Sequence, residues 1–315
     1  MDGIITIYKE RGYTSHDVVA KLRGILHQKK IGHTGTLDPE AEGVLPVCLG
    51  KGTKLCDMLS DRTKTYQAVL RLGVSTDTED MTGTVLEERK VTVTEEEVIS
   101  VIASFVGEYE QIPPMYSAKK VNGKKLYELA REGKVIERKA SKVQIYESII
   151  DRIELPYVTM TVSCSKGTYI RSLCRDIGEK LGCLGAMQSL LRTRVGEYRI
   201  EDAIKLAEVE QLVAEEKLLP HIFPVDKAFS NCPKYVVPKE LNKAVDNGNS
   251  FRYNEAMLDI ANKAMSDGDL LLGHVLMPED DIRIYKEDGM FVGLYSYDAE
   301  MGLMRPKKLF FVEGR

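Results

Sequence analysis

No metal-ligand spacing occurs in this sequence. Its six cysteines, Cys48, Cys56, Cys164, Cys174, Cys183 and Cys232, form no C-x-x-C pair and have no histidine at ligand distance, so no metal site is expected and reduced, mostly buried thiols are. No apolar run approaches the ~20 residues that a membrane-spanning helix requires. The segment Met1-Asp2-Gly3-Ile4-Ile5-Thr6-Ile7-Tyr8 reads as a strand and lacks the basic flank and apolar stretch of a secretory leader. A cytoplasmic protein without membrane association is therefore expected. Internal repeats and low-complexity stretches are missing too. Gly50-Lys51-Gly52-Thr53-Lys54 has the residues of a phosphate loop but not the G-x-x-x-x-G-K-[ST] spacing. A cationic surplus is also lacking: the formal net charge is −4, which taken as a sum argues against a nucleic-acid binder.

What is present is the composition of an ordinary globular protein, 43% hydrophobic and 29% charged, at a length of 315 residues that suggests two domains. Residues 3–9 read as a strand. Thr14 or Ser15 caps a helix with Val18, Val19, Leu22, Ile25 and Leu26 on one stripe. Tyr66, Ala68, Leu70 and Leu72 alternate along a strand, and so do Val158, Met160, Val162 and Cys164. Thr94-Glu95-Glu96-Glu97 is a capping box before Val98, Val101, Ile102 and Phe105. Ile170, Leu173, Cys174, Ile177 and Leu181 mark an amphipathic helix closed by Gly182. Residues 201–219 read as an acidic helix that Pro220 and Pro224 break, giving a linker to a domain from about residue 231.

The chain is organised around Gly32-His33-Thr34-Gly35-Thr36-Leu37-Asp38-Pro39-Glu40-Ala41-Glu42-Gly43-Val44-Leu45-Pro46. Its glycines and prolines predict a loop on a tight, fixed path, and Pro39 restricts the backbone of Asp38 to extended dihedrals. An isolated Asp-Pro is usually an Asx-turn; a carboxylate aimed by a rigid loop is also a candidate nucleophile or base. Charge is distributed unevenly. Residues 111–145 hold nine Lys and Arg against three Glu, a local net of +6, interleaved with Tyr116 and Tyr127. Such a run is commonly a solvated face, yet cations with exposed aromatics also suit phosphate contact and base stacking.

G-H-T-G-T-L-D-P-x-A-x-G-V-L-P closely resembles the catalytic loop of bacterial tRNA pseudouridine-55 synthases, the TruB family. The resemblance extends to Lys9-x-x-Gly12-Tyr13-Thr14-Ser15, where Glu10 replaces the family's proline, to the Lys64-Thr65-Tyr66 strand, to Ile112-Pro113-Pro114-Met115-Tyr116-Ser117 and to Ser165-Lys166-Gly167-Thr168-Tyr169-Ile170-Arg171. It implies that Asp38 is the catalytic aspartate, paired with Arg171, which would lower its pKa. It further implies that Tyr66 packs on the target uracil, Asp80 contacts the flipped base, Tyr169 and Leu191 line the pocket, and His33 fills the vacated space. Lys9 is expected to dock RNA beside the site. Residues of about 111–142, with Lys119, Lys120, Lys124 and Lys125, are expected to clasp the tRNA arm.

These features together imply an α+β protein with a large mixed or antiparallel sheet flanked by helices, of the pseudouridine-synthase type, over residues 1–230. Residues 231–315 resemble a PUA-like RNA-binding β domain. The implied activity converts uridine 55 in the T loop of tRNA to pseudouridine by breaking N1–C1′ and forming C5–C1′, with no cofactor, no metal and no guide RNA, as a monomer. Which route Asp38 takes, and whether Tyr66 is the base that removes the C5 proton, stay open. A non-catalytic RNA-binding protein and a guide-dependent ribosomal RNA pseudouridine synthase are the alternatives. Intact Asp38, Tyr66 and Arg171 count against the first, and the basic insertion against the second.

Overall fold

The two alternating segments become the centre of a large mixed sheet. The computed structural model describes residues 1–117, 119–121, 123–134, 136–253 and 281–310; the side chains of Lys120, Lys125 and Arg131 lie outside the described residues. Two compact units result, one of Ile5–Val47 with Cys56–His221, the other of Met1–Ile4 and Cys48–Leu55 with Ile222–Arg315.

Up to residue 195 the principal elements are β1 (Gly3–Lys9), α1 (Ser15–Ile25), β2 (Glu42–Leu49), β3 (Lys64–Leu72), α2 (Glu95–Ala103), β4 (Gly107–Gln111), β5 (Ser141–Glu154), β6 (Tyr157–Cys164), α3 (Ile170–Lys180) and β7 (Gly185–Val195). The strands follow one another across the sheet as β1-β2-β7-β3-β6-β5-β4. Pairing is antiparallel from β7 to β4, whereas β7 meets β2 in parallel through Leu191 with Glu42 and Arg192 with Gly43. Alternation sends Ala68, Leu70, Val158, Met160 and Val162 to one face, where they pack with Val98 and Ile102 of α2 and with Leu173, Cys174 and Ile177 of α3. Both capping expectations hold: Thr14 closes a box with Asp17, and Thr94 one with Glu97.

Two expectations need correction. The 32–46 motif is not all loop, because Ile31–His33 is a strand and β2 already begins at Glu42. Val44, Leu45 and Val47 are fully buried, and their burial draws this half of the motif into the sheet, leaving only residues 34–41 as loop. The acidic helix is also shorter, Leu206–Ala214. Its expected start is held elsewhere: Ile204 exchanges backbone bonds with Thr6 and Tyr8 of β1. Its expected end is broken at Glu216, whose φ of 58° no helix accommodates.

The second unit contains a five-stranded sheet. Its strands β8 (Lys234–Val237), β9 (Phe251–Arg252), β10 (Asp281–Lys286), β11 (Phe291–Asp298) and β12 (Leu303–Leu309) are ordered β8-β10-β11-β12-β9. Tyr235, Val237, Phe251, Ile282, Ile284, Val292, Tyr295 and Met304 form its core.

Candidate active site

Asp38 sits at the tip of a loop anchored by backbone bonds on both sides. Ser15, buried at the start of α1, accepts from the Leu37 amide at 2.9 Å, and Gly12 donates to the Pro39 carbonyl at 2.9 Å. Lys9 completes the anchor. Its side chain is fully buried, and Nζ donates to the carbonyls of Tyr13 at 2.6 Å, Pro39 at 3.0 Å and Glu10 at 3.1 Å. This corrects the expectation that Lys9 docks RNA: all three of its donors are committed, and desolvation lowers its pKa to about 8.

From this loop the Asp38 carboxylate meets Arg171 in a two-pronged ion pair, Oδ2 to Nε at 3.1 Å and Oδ1 to Nη2 at 3.3 Å. Arg171 lies in the first turn of α3, where the helix dipole disfavours a cation, and its partners offset that. Besides Asp38 it donates to the carbonyls of Thr78 at 3.1 Å and Tyr116 at 2.9 Å, and it stands 3.6 Å from the Asp80 carboxylate. The expected lowering of the Asp38 pKa is reversed. Burial raises it, Arg171 pulls it back, and the neighbouring Asp80 carboxylate pushes it up again.

Asp80 is nearly buried, and its Oδ1 accepts from Thr78 Oγ1 at 2.7 Å and the Thr82 amide at 2.9 Å. Its turn is pinned to α3 by the preceding residue, Glu79, which pairs with Arg175 and accepts from Ser172 Oγ at 2.6 Å. No local pattern marks Glu79, whose partners are more than 90 positions away. Gln111 was equally hidden. Tyr169, the residue that caps α3, has no side-chain cap of its own. Gln111, completely buried, accepts from the Tyr169 amide at 2.8 Å and donates to its carbonyl at 2.9 Å.

Asp38, Tyr66, Asp80, Tyr169 and Arg171 all line one cleft of about 830 Å³, together with Tyr116, Ser117 and Tyr127 of the insertion and Leu190 and Arg192 of β7. Five of the expected residues are thus brought together. Leu191 is not among them: Leu190 and Arg192 line the cleft, and strand alternation turns Leu191 to the other face. Neither is His33, which is half-buried, packs edge-on against His16 at 5.2 Å, and accepts from the Gly35 amide. Burial lowers its pKa, and the nearby Arg192 guanidinium adds to the lowering. Of the expected RNA contacts, Lys119 donates to Ser141 Oγ at 2.5 Å and exposed Lys124 stands 3.7 Å from Glu132. The side chains of Lys120 and Lys125 lie outside the described residues.

A loop aspartate paired with a helix arginine, in a cleft that a buried tyrosine and a second aspartate also line, is the arrangement that the resemblance to pseudouridine synthases implies. The fold agrees. A chain of a crystallised Cbf5-Nop10-Gar1 complex superposes with a TM-score of 0.66 at 27% identity, over 98% of this chain and 85% of that one. A chain of an H/ACA RNP bound to a substrate RNA containing 2′-deoxyuridine has a TM-score of 0.68, covering 99% and 86%, and at 24% identity speaks to the fold alone. The model of the TruB family pseudouridylate synthase N-terminal domain matches residues 23–170, and that of the tRNA pseudouridylate synthase B C-terminal domain matches 171–230. The tRNA pseudouridine synthase B of Lachnoclostridium phytofermentans is 52% identical over 98% of this chain and 100% of its own. That of Bacillus pumilus is 39% identical over 98% and 97%. The chain belongs to the TruB family of pseudouridine synthases.

Proposed function

We propose that this protein isomerises uridine 55 in the T loop of tRNA to pseudouridine, with Asp38 as the catalytic carboxylate. The observation that carries the reading is the Asp38–Arg171 pair, set in a cleft that also holds Tyr66, Tyr169 and Asp80. The relatives' names support tRNA as the substrate, since they are tRNA pseudouridine synthases at up to 52% identity.

The reaction needs no net redox change and no hydrolysis. The glycosidic bond N1–C1′ breaks, the uracil turns in place, C5–C1′ forms, and the proton lost from C5 is balanced by one taken up at N1. Asp38, acceptor-only when ionised, is the group that can add to an electrophilic carbon or take a proton; Arg171 holds it in one orientation. Tyr66, 8% exposed at the start of β3, supplies a flat apolar wall and one hydroxyl. A target uridine must leave the stacked loop to enter, at a cost of a few kcal/mol that contacts along the RNA backbone offset. Residues 111–142 are assigned to that clasp, and 231–315 to an auxiliary RNA-binding domain. His33 is assigned to the space that the flipped nucleotide leaves.

The protein acts alone, as a monomer in the cytoplasm, without guide RNA or cofactor. Incubating the pure protein with an unmodified tRNA transcript, with no other RNA added, and mapping pseudouridine by sequence position tests this. One modified uridine in the T loop is the expected result. Absence of product, or product only when a second RNA is supplied, would overturn it.

A further inference from the structure

Arg192 is the largest fully buried side chain of the described residues, 1% exposed, yet no carboxylate faces it. A buried guanidinium without an anion is costly, so what it does with its donors is informative. Nε donates to the Val44 carbonyl of β2 at 2.7 Å. Nη1 and Nη2 reach the carbonyls of Thr36 and Gly35 at 3.5 Å, two and three residues before Asp38. In the β7–β3 ladder Arg192 is the register partner of Tyr66, and both line the cleft; a guanidinium carries donors only, so toward that hydroxyl it can act only as the donor. The backbone of Arg192 is held as tightly as its head. A Cβ on Gly43, in the parallel strand, would lie 2.2 Å from the Arg192 carbonyl oxygen, so Gly43 (φ 103°) is what lets the two chains approach.

We infer that Arg192 is the positioning residue of this site, one guanidinium that fixes the Asp38 loop and the Tyr66 hydroxyl relative to each other. It joins three separate elements, the loop, β2 and, as the ladder partner of Tyr66, β3, in the cleft it lines. A guanidinium beside Tyr66 also sets the direction of that hydroxyl. With the oxygen turned to Arg192, the O–H proton is left to donate toward whatever occupies the cleft, and burial, which raises the Tyr66 pKa, keeps that proton on. Arg192 acts through Asp38 and Tyr66 and need not touch RNA.

The inference rests on the proposed activity, and its test separates the two. Arg192→Lys keeps the charge but gives a compact ammonium that cannot span three carbonyls set around a planar fork. Single-turnover pseudouridine formation should fall by about 10²-fold, the loss typical of a reacting group displaced by ~1 Å, while tRNA affinity stays as in the wild type. In a Tyr66→Phe background the same substitution should cost less than it does alone, because part of its effect travels through the hydroxyl. Free guanidinium ion should restore rate to Arg192→Ala, and methylammonium should not. Hydrogen exchange adds a readout independent of turnover: amides 34–41 should open faster in Arg192→Lys, and those of β6 and α3 should not. A wild-type rate in Arg192→Lys, strict additivity with Tyr66→Phe, or unchanged exchange at 34–41 would each overturn the inference. A wild type inactive on tRNA would instead overturn the proposed activity, and the exchange measurement would still decide the role of Arg192. If Arg192→Ala does not fold, Arg192→Lys carries the decision.

Discussion

The cations of the Asp38 loop and those of the 111–142 insertion belong to the same residue types and do opposite things. Around the loop, Lys9, Arg171 and Arg192 are at most 6% exposed and spend their donors on carbonyls and carboxylates of the same fold. In the insertion, Lys124, Lys134 and Lys142 keep 59%, 61% and 68% of their side chains exposed, and their partners are surface glutamates. The first set gives the loop its geometry. The second leaves charge where a polyanion can reach it. A lysine counted from sequence therefore says little about RNA until its burial is known, as Lys9 shows.

The contrast is broken most severely at the tip of the loop. Asp38→Asn keeps the shape and removes the charge, and single-turnover rate should fall by about 10³-fold or more, ~4 kcal/mol in barrier, with tRNA affinity nearly unchanged. Equal loss of binding and rate would make Asp38 a structural turn residue.

Lys9→Met tests whether a buried cation is structural. It leaves three carbonyls without their donor, so urea denaturation should show a loss of about 2–3 kcal/mol, while the salt dependence of tRNA binding stays as it was. The pH dependence has a definite sign. The folded pKa of Lys9, about 8, lies below the ordinary 10.5, so between those values the unfolded chain binds more protons. Wild-type stability should then rise relative to Lys9→Met as pH climbs from 8 toward 10.5, and a flat difference would contradict the burial.

The Asp38 carboxyl offers a third test. Its raised pKa places the acid limb of the rate profile above the usual ~3.9 of aspartate, with about tenfold lost per pH unit below the midpoint. A limb at or below 3.9 would mean that Arg171 outweighs burial and Asp80.

The smallest effect belongs to the insertion. Replacing Lys119, Lys120, Lys124 and Lys125 together by alanine should weaken tRNA binding and reduce the log–log salt slope by about 0.7–0.9 per lost phosphate contact. Turnover at saturating RNA should hardly move. An unchanged slope would assign the run to a solvated face.

Much of this was readable from residue order because it depends on local rules. Alternation in β3 and β6, capping at Thr14 and Thr94, and the motif around Asp38 each need only neighbours in sequence. Long-range partners were not readable. Gln111 caps Tyr169 from 58 positions away, and Ile204, taken by β1, shortens a helix that its own composition would have extended. The upward shift at Asp38 was hidden for the same reason: a sequence motif names Arg171 but is silent on how dry the cleft is and how near Asp80 comes. Leu191 failed by one residue, and in a strand one residue is a change of face.

For anyone wishing to trim this enzyme, the insertion is not a detachable cassette. Gln111 at its root closes the N-terminus of α3, and the Tyr116 carbonyl occupies a donor of the same arginine that holds Asp38. A shortened chain would have to keep residues 111–117 in place and make its splice beyond them, before β5 begins at Ser141. Cut any earlier, it would lose the supports of Arg171 and α3; cut there, it still gives up Tyr127 from the cleft along with its grip on RNA.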